Sequence, residues 1–362
     1  LEVMKGPQAL FFGKNSPAGA ISLRTKDPTD AFEGYARFGY EFEADERYLE
    51  TAISGPISPT LKARAAVRAA SMDGWIKNVA QPIADPIRPG ITVPGNTVGG
   101  IGPDGNNIAA RLTLLWEPTE DFSANLKLTH DKQSMNGMNA YVEMYCSGGQ
   151  TIPTVGGFIM PQSDCRKDRR KAEGALPAEY AVNWPYGNGG VPDYDSQFTL
   201  GSLTLNKSFA RHTLASTTGF YDQEIVGSNN ADYTEFSLLW SSQKEDYRLF
   251  TQEFRLSSDF DGPLNYQVGL YYEKSSRDWF NAADLFHGGY NVMAQNWTTF
   301  ETAASVDSES LSGFAQLQWN FNPAWELSAC ALYTKDDKEG AFWNVCRRYD
   351  MPPVSSPLPL PR

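Results

Sequence analysis

The chain has 362 residues, a formal net charge of -12 and a pI near 4.8, with 13% aromatic residues, 31 Gly and 23 Pro. That acidic balance excludes a nucleic-acid partner, since phosphate binding needs clustered Lys and Arg, and makes a cationic ligand or a metal complex easier to attract. No window approaches the roughly 18 consecutive apolar residues of a membrane helix, so a membrane reading is left to β-strands, which need only about ten residues of alternating character.

The chain opens on "KGPQALFFGKNSPAGAISLRTK", residues 5–26. Gly6-Pro7 predicts a tight turn, and Gly13 and Gly19 allow positive φ or close backbone approach. Lys5, Lys14, Arg24 and Lys26 are available to pair with acidic residues downstream such as Glu33, Glu41 or Glu253. With no initiating Met and no signal segment, the sequence reads as a piece of a longer chain.

From there, period-two alternation recurs with consistent sidedness. In "LKARAAVRAA", Leu61, Ala63, Ala65, Val67 and Ala69 share one face while Lys62, Arg64 and Arg68 take the other. "FSANLKLTH" sets Phe122, Ala124, Leu126 and Leu128 against Ser123, Asn125, Lys127 and Thr129. The pattern predicts eleven strands, near 32–43, 47–56, 61–71, 108–117, 122–133, 196–209, 212–225, 247–260, 264–275, 308–321 and 325–334. Tight links at 58–60, 119–121, 261–263 and 322–324 alternate with long loops at 72–107, 134–195, 226–246 and 276–307, the asymmetry of outer-membrane barrels. Trp116, Tyr271, Tyr272, Trp319 and Phe321 are expected near strand ends, where an apolar ring with a polar edge suits a membrane interface. Charged wet-face residues (Glu33, Arg37, Glu41, Glu253, Arg255) call for a wide lumen. A soluble β-sandwich gives the same alternation with its apolar face inward.

Catalytic motifs are unconvincing. "GIGPDG" satisfies G-x-G-x-x-G through Gly100, Gly102 and Gly105, but it lies in a Pro-rich loop without the strand and helix that a dinucleotide site needs. His130, His212 and His287 are far apart, Asp193 and Asp195 read as a solvated pair before a calcium site, and no catalytic or metal residue is assigned. Cys146 and Cys165 share one polar stretch, where a disulfide would close a surface loop; Cys330 and Cys346 read as unpaired thiols. The long loops offer Trp184, Tyr186 and Tyr194 in "NWPYGNGGVPDYD" and Arg277, Trp279 and Phe280 in "SRDWFNAADLF" as candidate ligand contacts, with loop packing the other use for such rings.

Residues 1–28, "LEVMKGPQALFFGKNSPAGAISLRTKDP", resemble the end of the plug domain of TonB-dependent outer-membrane receptors, through Glu2, Val3, Lys5, Gly6, Pro7, Phe12, Gly13, Asn15, Gly19, Ala20, Ile21 and Thr25. Looser echoes follow at 251–258, 264–273 and 332–340. Lys14 stands where the family often has Arg, replacing a bidentate contact by a point charge. The resemblance implies an all-β fold: an incomplete antiparallel transmembrane β-barrel (28–335) after the C-terminal part of a plug (1–27), with 336–362 an irregular, Pro-ended tail. It implies a monomeric, non-enzymatic receptor in the cell outer membrane, contacting its lipid, with no cofactor. Such a receptor imports a ferric siderophore or similar bulky nutrient on energy from TonB, which binds a segment missing here. Gly6, Pro7, Gly13, Lys14, Asn15, Gly19 and Arg24 would then be structural and gating residues. A passive porin or adhesin barrel and a soluble carbohydrate-binding sandwich are the competing readings.

Overall fold

The structure is a computed structural model that describes residues 1–6, 18–95, 101–136, 143–286, 289, 291–322 and 324–346. A small hairpin comes first: β1 (Glu2–Lys5) pairs antiparallel with β2 (Gly19–Ser22), Glu2 opposite Ser22 and Lys5 opposite Gly19. Gly19 has φ +147°, and a Cβ there would lie 2.4 Å from the Met4 carbonyl oxygen, so the close pairing needs a glycine.

The rest is organised by one antiparallel sheet of eleven strands in simple sequence order. These are β3 (Glu33–Glu41), β4 (Glu46–Pro56), β5 (Leu61–Met72), β6 (Gly105–Thr119), β7 (Phe122–Met135), β8 (Asp193–Phe209), β9 (His212–Asn230), β10 (Leu239–Ser258), β11 (Leu264–Leu285), β12 (Phe300–Asn322) and β13 (Trp325–Cys346). All eleven expected strands are present. Among the described residues the other sheets have two or three short strands, so no second sheet covers this one and a sandwich is ruled out. β3 and β13 are the two edges, and the sheet does not close on itself.

The strands differ from the expected ones in length. β9 runs to Asn230 and β10 starts at Leu239, so the loop expected over 226–246 shrinks to 231–238; the loop expected over 276–307 shrinks to 286–299. β13 continues to Cys346, so residues 336–346 are strand and not tail, while 347–362 lie outside the described residues. The physical reason is shared. Membrane crossing takes about ten residues, whereas β10 to β13 have 20 to 23. In the surplus, Trp240, Ser242, Ala282 and Asp284 are buried against the loops whatever their residue type, so apolar alternation fades although the backbone ladder continues.

The two faces of the sheet can be told apart because the segment after β2 lies on one of them. Asp27 reaches Lys127 (2.8 Å) and accepts from Asn125 Nδ2 (3.1 Å), both on β7. The Thr29 N–H and hydroxyl bond Ser54 Oγ of β4 at 3.0 and 2.9 Å, Asp30 pairs with Lys62 of β5 at 2.6 Å, and Lys26 with Glu33 of β3 at 3.3 Å. The linker thus crosses the inner face from β7 to β3. Register carries that parity across the whole sheet, because side chains alternate strictly along each strand.

The opposite face is a continuous apolar surface. Ile53 opposes Ala65, which opposes Leu112, which opposes Leu128, and the row continues through Gly201, Phe220 and Phe250. Leu49, Ile53, Phe254, Leu270 and Leu311 there are 49–60% exposed. A water-soluble chain does not leave a patch of this extent bare. Along its lower margin, next to the tight turns, sit ring clusters: Trp116 on Phe122 (5.8 Å), His212 between Phe209 and Phe260 (5.7 and 5.3 Å), and Trp319 on Phe321 (5.3 Å). Tyr271 and Tyr272, expected at a strand end, stand mid-strand because β11 extends to Leu285.

Candidate functional site

At the end of the sheet opposite the tight turns, the long connections fold into one packed layer. Leu176, Tyr180, Trp184, Trp240 and Ala282 form its main core, with Phe280 and Trp297 packed against it; Met160, Phe236 and Leu238 form a second. Backbone bonds stitch the loops together: Gly174 N–H to Thr234 O (3.0 Å), Ala175 N–H to Pro94 O (3.1 Å) and Leu176 N–H to Gly190 O (3.0 Å). Cys146 and Cys165 are joined by a disulfide, Cα atoms 5.3 Å apart, closing one loop of the layer; Cys330 and Cys346 are free and exposed.

Several acidic groups inside the layer are specifically hydrogen-bonded or paired. Glu235 is fully buried and accepts from the Gln162 N–H and the Ser163 hydroxyl, both at 2.8 Å. Burial pushes its carboxyl above the usual range, with those two bonds pulling back. Asp232 is also pushed up by burial, against bonds from Thr234. Glu173 is buried beside Lys171, and burial raises its carboxyl while the ammonium opposes the shift. Asp193 does not stand solvated: it accepts from the Ser228 N–H (3.0 Å) and hydroxyl (2.6 Å). Among the described residues no cluster of metal-ligating side chains occurs.

The six candidate ligand contacts fall into two groups. Trp184 is buried in the loop core, and its indole N–H donates to Ser242 Oγ at 2.8 Å, so it holds the layer together. Tyr186 is half-exposed and packs edge-on against Phe280 (5.5 Å) beside Lys244 (5.9 Å). They border a cavity of about 350 Å³ that also takes in Trp279, Asp246, Asp278 and Trp343. Phe280 shares the parity of Phe254 and Leu270, the outer face. Tyr194, Arg277 and Trp279 share the parity of the inner wall. The structure therefore joins Tyr186 with Phe280 and separates them from Tyr194 and Arg277.

The inner wall carries a set of groups that sequence reasoning missed. Phe198 of β8 meets Tyr221 of β9 (5.7 Å), which meets Tyr247 of β10 (6.0 Å). Beyond them Arg277 grips Glu245 with two bonds, Nε at 3.0 Å and Nη2 at 2.8 Å, and the Tyr271 hydroxyl donates to Glu273 at 2.8 Å. A row of rings flanked by fixed charges, on four adjacent strands, can hold a bulky aromatic or amphipathic ligand by stacking and edge contacts. Parity was the available signal, since these rings alternate in phase with Arg255 and Glu253, but the partners of each strand had to be known first.

Of the residues expected to belong to a plug, Gly6 takes φ +81° and donates its N–H to Ala18 O (3.2 Å). Arg24 lies 3.6 Å from Asp27 and makes no ion pair with the wall among the described residues, while Lys26 does reach Glu33. Glu41 instead accepts the N–H groups of Glu43 and Ala44, both at 2.8 Å, and Glu253 pairs with Arg255 at 2.6 Å. Pro7, Gly13, Lys14 and Asn15, like His287, lie outside the described residues.

No protein-family model matches the chain. Solved structures do. The ferric yersiniabactin uptake receptor of Yersinia pestis superposes with a TM-score of 0.71 over 95% of this chain and 45% of its own, at 14% identity. The fold is that of the TonB-dependent outer-membrane receptors. The ferripyoverdine receptor of the outer membrane of Pseudomonas aeruginosa gives 0.62 over 96% of this chain and 43% of its own at 12% identity. The alcaligin outer-membrane receptor of Bordetella pertussis gives 0.54 over 96% and 44% at 9% identity. The chain spans less than half the length of each, and its eleven-stranded sheet corresponds in fold to part of their barrels.

Proposed function

We propose that this chain is the plug-proximal part of an outer-membrane active transport receptor that takes up a ferric siderophore or a similar bulky nutrient using energy transmitted by TonB. The observation that carries the reading is the linker of residues 23–32, which emerges from the plug-like hairpin and is tied to the wet face of a sheet whose other face is bare and apolar. A passive pore has no use for a segment bonded to four strands of its lumen wall. The structures named above belong to proteins that take up or bind iron chelates, which supports the ligand class. The ring row of Phe198, Tyr221 and Tyr247 provides the contact surface on the lumen side, and Tyr186 with Phe280 a second one in the loop layer.

The reading is tested by radio-iron uptake in cells whose only siderophore receptor is the complete protein containing this chain. Uptake that requires both the receptor and TonB is expected. Uptake unchanged in a strain without TonB would contradict it.

A further inference from the structure

A cavity of about 330 Å³ lies between the linker and the inner wall, bordered by Thr25 and Lys26 on one side and by Arg64, Arg68 and Arg111 on the other. Two of these guanidinium groups are poorly used. A guanidinium has five N–H donors, yet Arg64, only 13% exposed, makes no hydrogen bond among the described residues and meets Glu33 no closer than 3.8 Å. Arg111 makes one bond, Nε to Thr129 Oγ1 at 2.9 Å, and has no carboxylate partner there. Arg68 differs, being committed to Glu46 at 2.7 Å. The cavity's own carboxylate, Glu50, accepts from the Tyr35 hydroxyl at 2.6 Å and lies 3.7 Å from Arg37.

Register sets the two underused groups together. Arg64 stands opposite Thr113, and Arg111 is two residues from Thr113 on the same strand, so the arginines are diagonal neighbours on one face. Diagonal pairs lie within reach of long side chains, and two planar forks so placed match the geometry of a carboxylate or phosphate. Removing a guanidinium from water without replacing its hydrogen bonds is costly, which favours an anion over an empty cavity.

We propose that Arg64 and Arg111 form an oxyanion-binding site, for a small carboxylate or phosphate, roofed by linker residues Thr25 and Lys26. The site does not depend on the transport reading, because it is a binding property of the chain itself. The test is calorimetric titration of the full chain, folded in detergent at low ionic strength, with succinate and separately with inorganic phosphate. At least one probe is expected to bind, with Kd rising about tenfold or more, or about 1.4 kcal/mol, in the Arg64→Gln/Arg111→Gln double variant. Lys132→Gln, on the outer face, should leave binding unchanged. The preferred probe then tells carboxylate from phosphate. Should the double variant fail to fold by circular dichroism, Arg64→Lys and Arg111→Lys replace it: they keep the charge but lose the fork, and binding should still weaken. Equal binding in the folded variants, or no binding of either probe to the unaltered chain, would overturn the proposal.

Discussion

Replacing Trp240 by Ala should open the loop layer while leaving the sheet intact. Trp240 is fully buried in the loop core that it forms with Leu176, Tyr180, Trp184 and Ala282. An indole of this kind removes about 200 Å² from water, which at about 25 cal/mol per Å² corresponds to about 5 kcal/mol; measured Trp→Ala costs of about 3–5 kcal/mol agree. The cost falls on a local unit, because the ladders of β3 to β13 below the loops do not depend on the indole. Taking about 4 kcal/mol, amide exchange across 174–192 should accelerate about a thousandfold, while amides of 250–257 in mid-strand keep their protection. Hydrogen exchange read by mass spectrometry resolves the two regions. Equal acceleration in both, or none in either, would refute the view that the loops form a separately cooperative layer.

Other outcomes follow from the same structure. Because burial raises the Glu173, Asp232 and Glu235 carboxyls above their unfolded values, the folded layer binds more protons than the unfolded one. Its stability should therefore rise as pH falls through the folded pKa values toward the unfolded range near about 4, which tryptophan fluorescence melts at pH 5 and pH 7.5 would show as a higher Tm at pH 5. Replacing Cys146 and Cys165 together by Ser opens a loop of sequence separation 19, a loss of about 3 kcal/mol on the chain-entropy account, and thermolysin should cut within 147–164 faster in that variant. Asp27→Ala and Asp30→Ala remove linker ties to Lys127 and Lys62; the Asp27 pair is part-exposed, so about 1 kcal/mol is expected from it, Asp30 is exposed and its loss should matter less, and a spin label at residue 25 should gain mobility in the Asp27 variant. Leu270→Arg on the apolar face should cost about 2–4 kcal/mol in lipid, measured by unfolding in denaturant, whereas Gln267→Arg on the opposite face should cost far less.

The strand count and the sidedness of each strand are legible in the sequence because a half-wet sheet writes its parity as alternating apolar and polar residues, as in "LKARAAVRAA" and "FSANLKLTH". Strand ends are not legible in that way. Residues 239–246 ("LWSSQKED") and 336–346 ("DDKEGAFWNVC") mix apolar and polar residues without sustained alternation, so no period in them marks strand from loop, and their pairing is dictated by the neighbouring hairpin arm. The candidate site divides similarly. Trp184, Tyr186 and Phe280 stand out by composition, but composition does not tell a ring that packs a loop core from one that faces solvent, and Trp184 proves to be the former. Phe198, Tyr221 and Tyr247 are ordinary strand aromatics taken singly; only the register places them in one row. Arg64 and Arg68 were visible on the polar side of β5, whereas the relation of Arg64 to Arg111 needed the pairing of β5 with β6.

The central claim is that one face of this sheet meets lipid and the other lines a wet lumen. It is tested most directly by single cysteines at positions 200 to 206 of β8, with Cys330 and Cys346 replaced by Ser and the complete protein in its native outer membrane. A water-soluble thiol reagent should modify positions 200, 202, 204 and 206 and spare 201, 203 and 205, whose side chains share the outer face with Leu126, Leu128 and Phe220. Reactivity without this period, or with the odd positions modified and the even ones spared, would contradict the account.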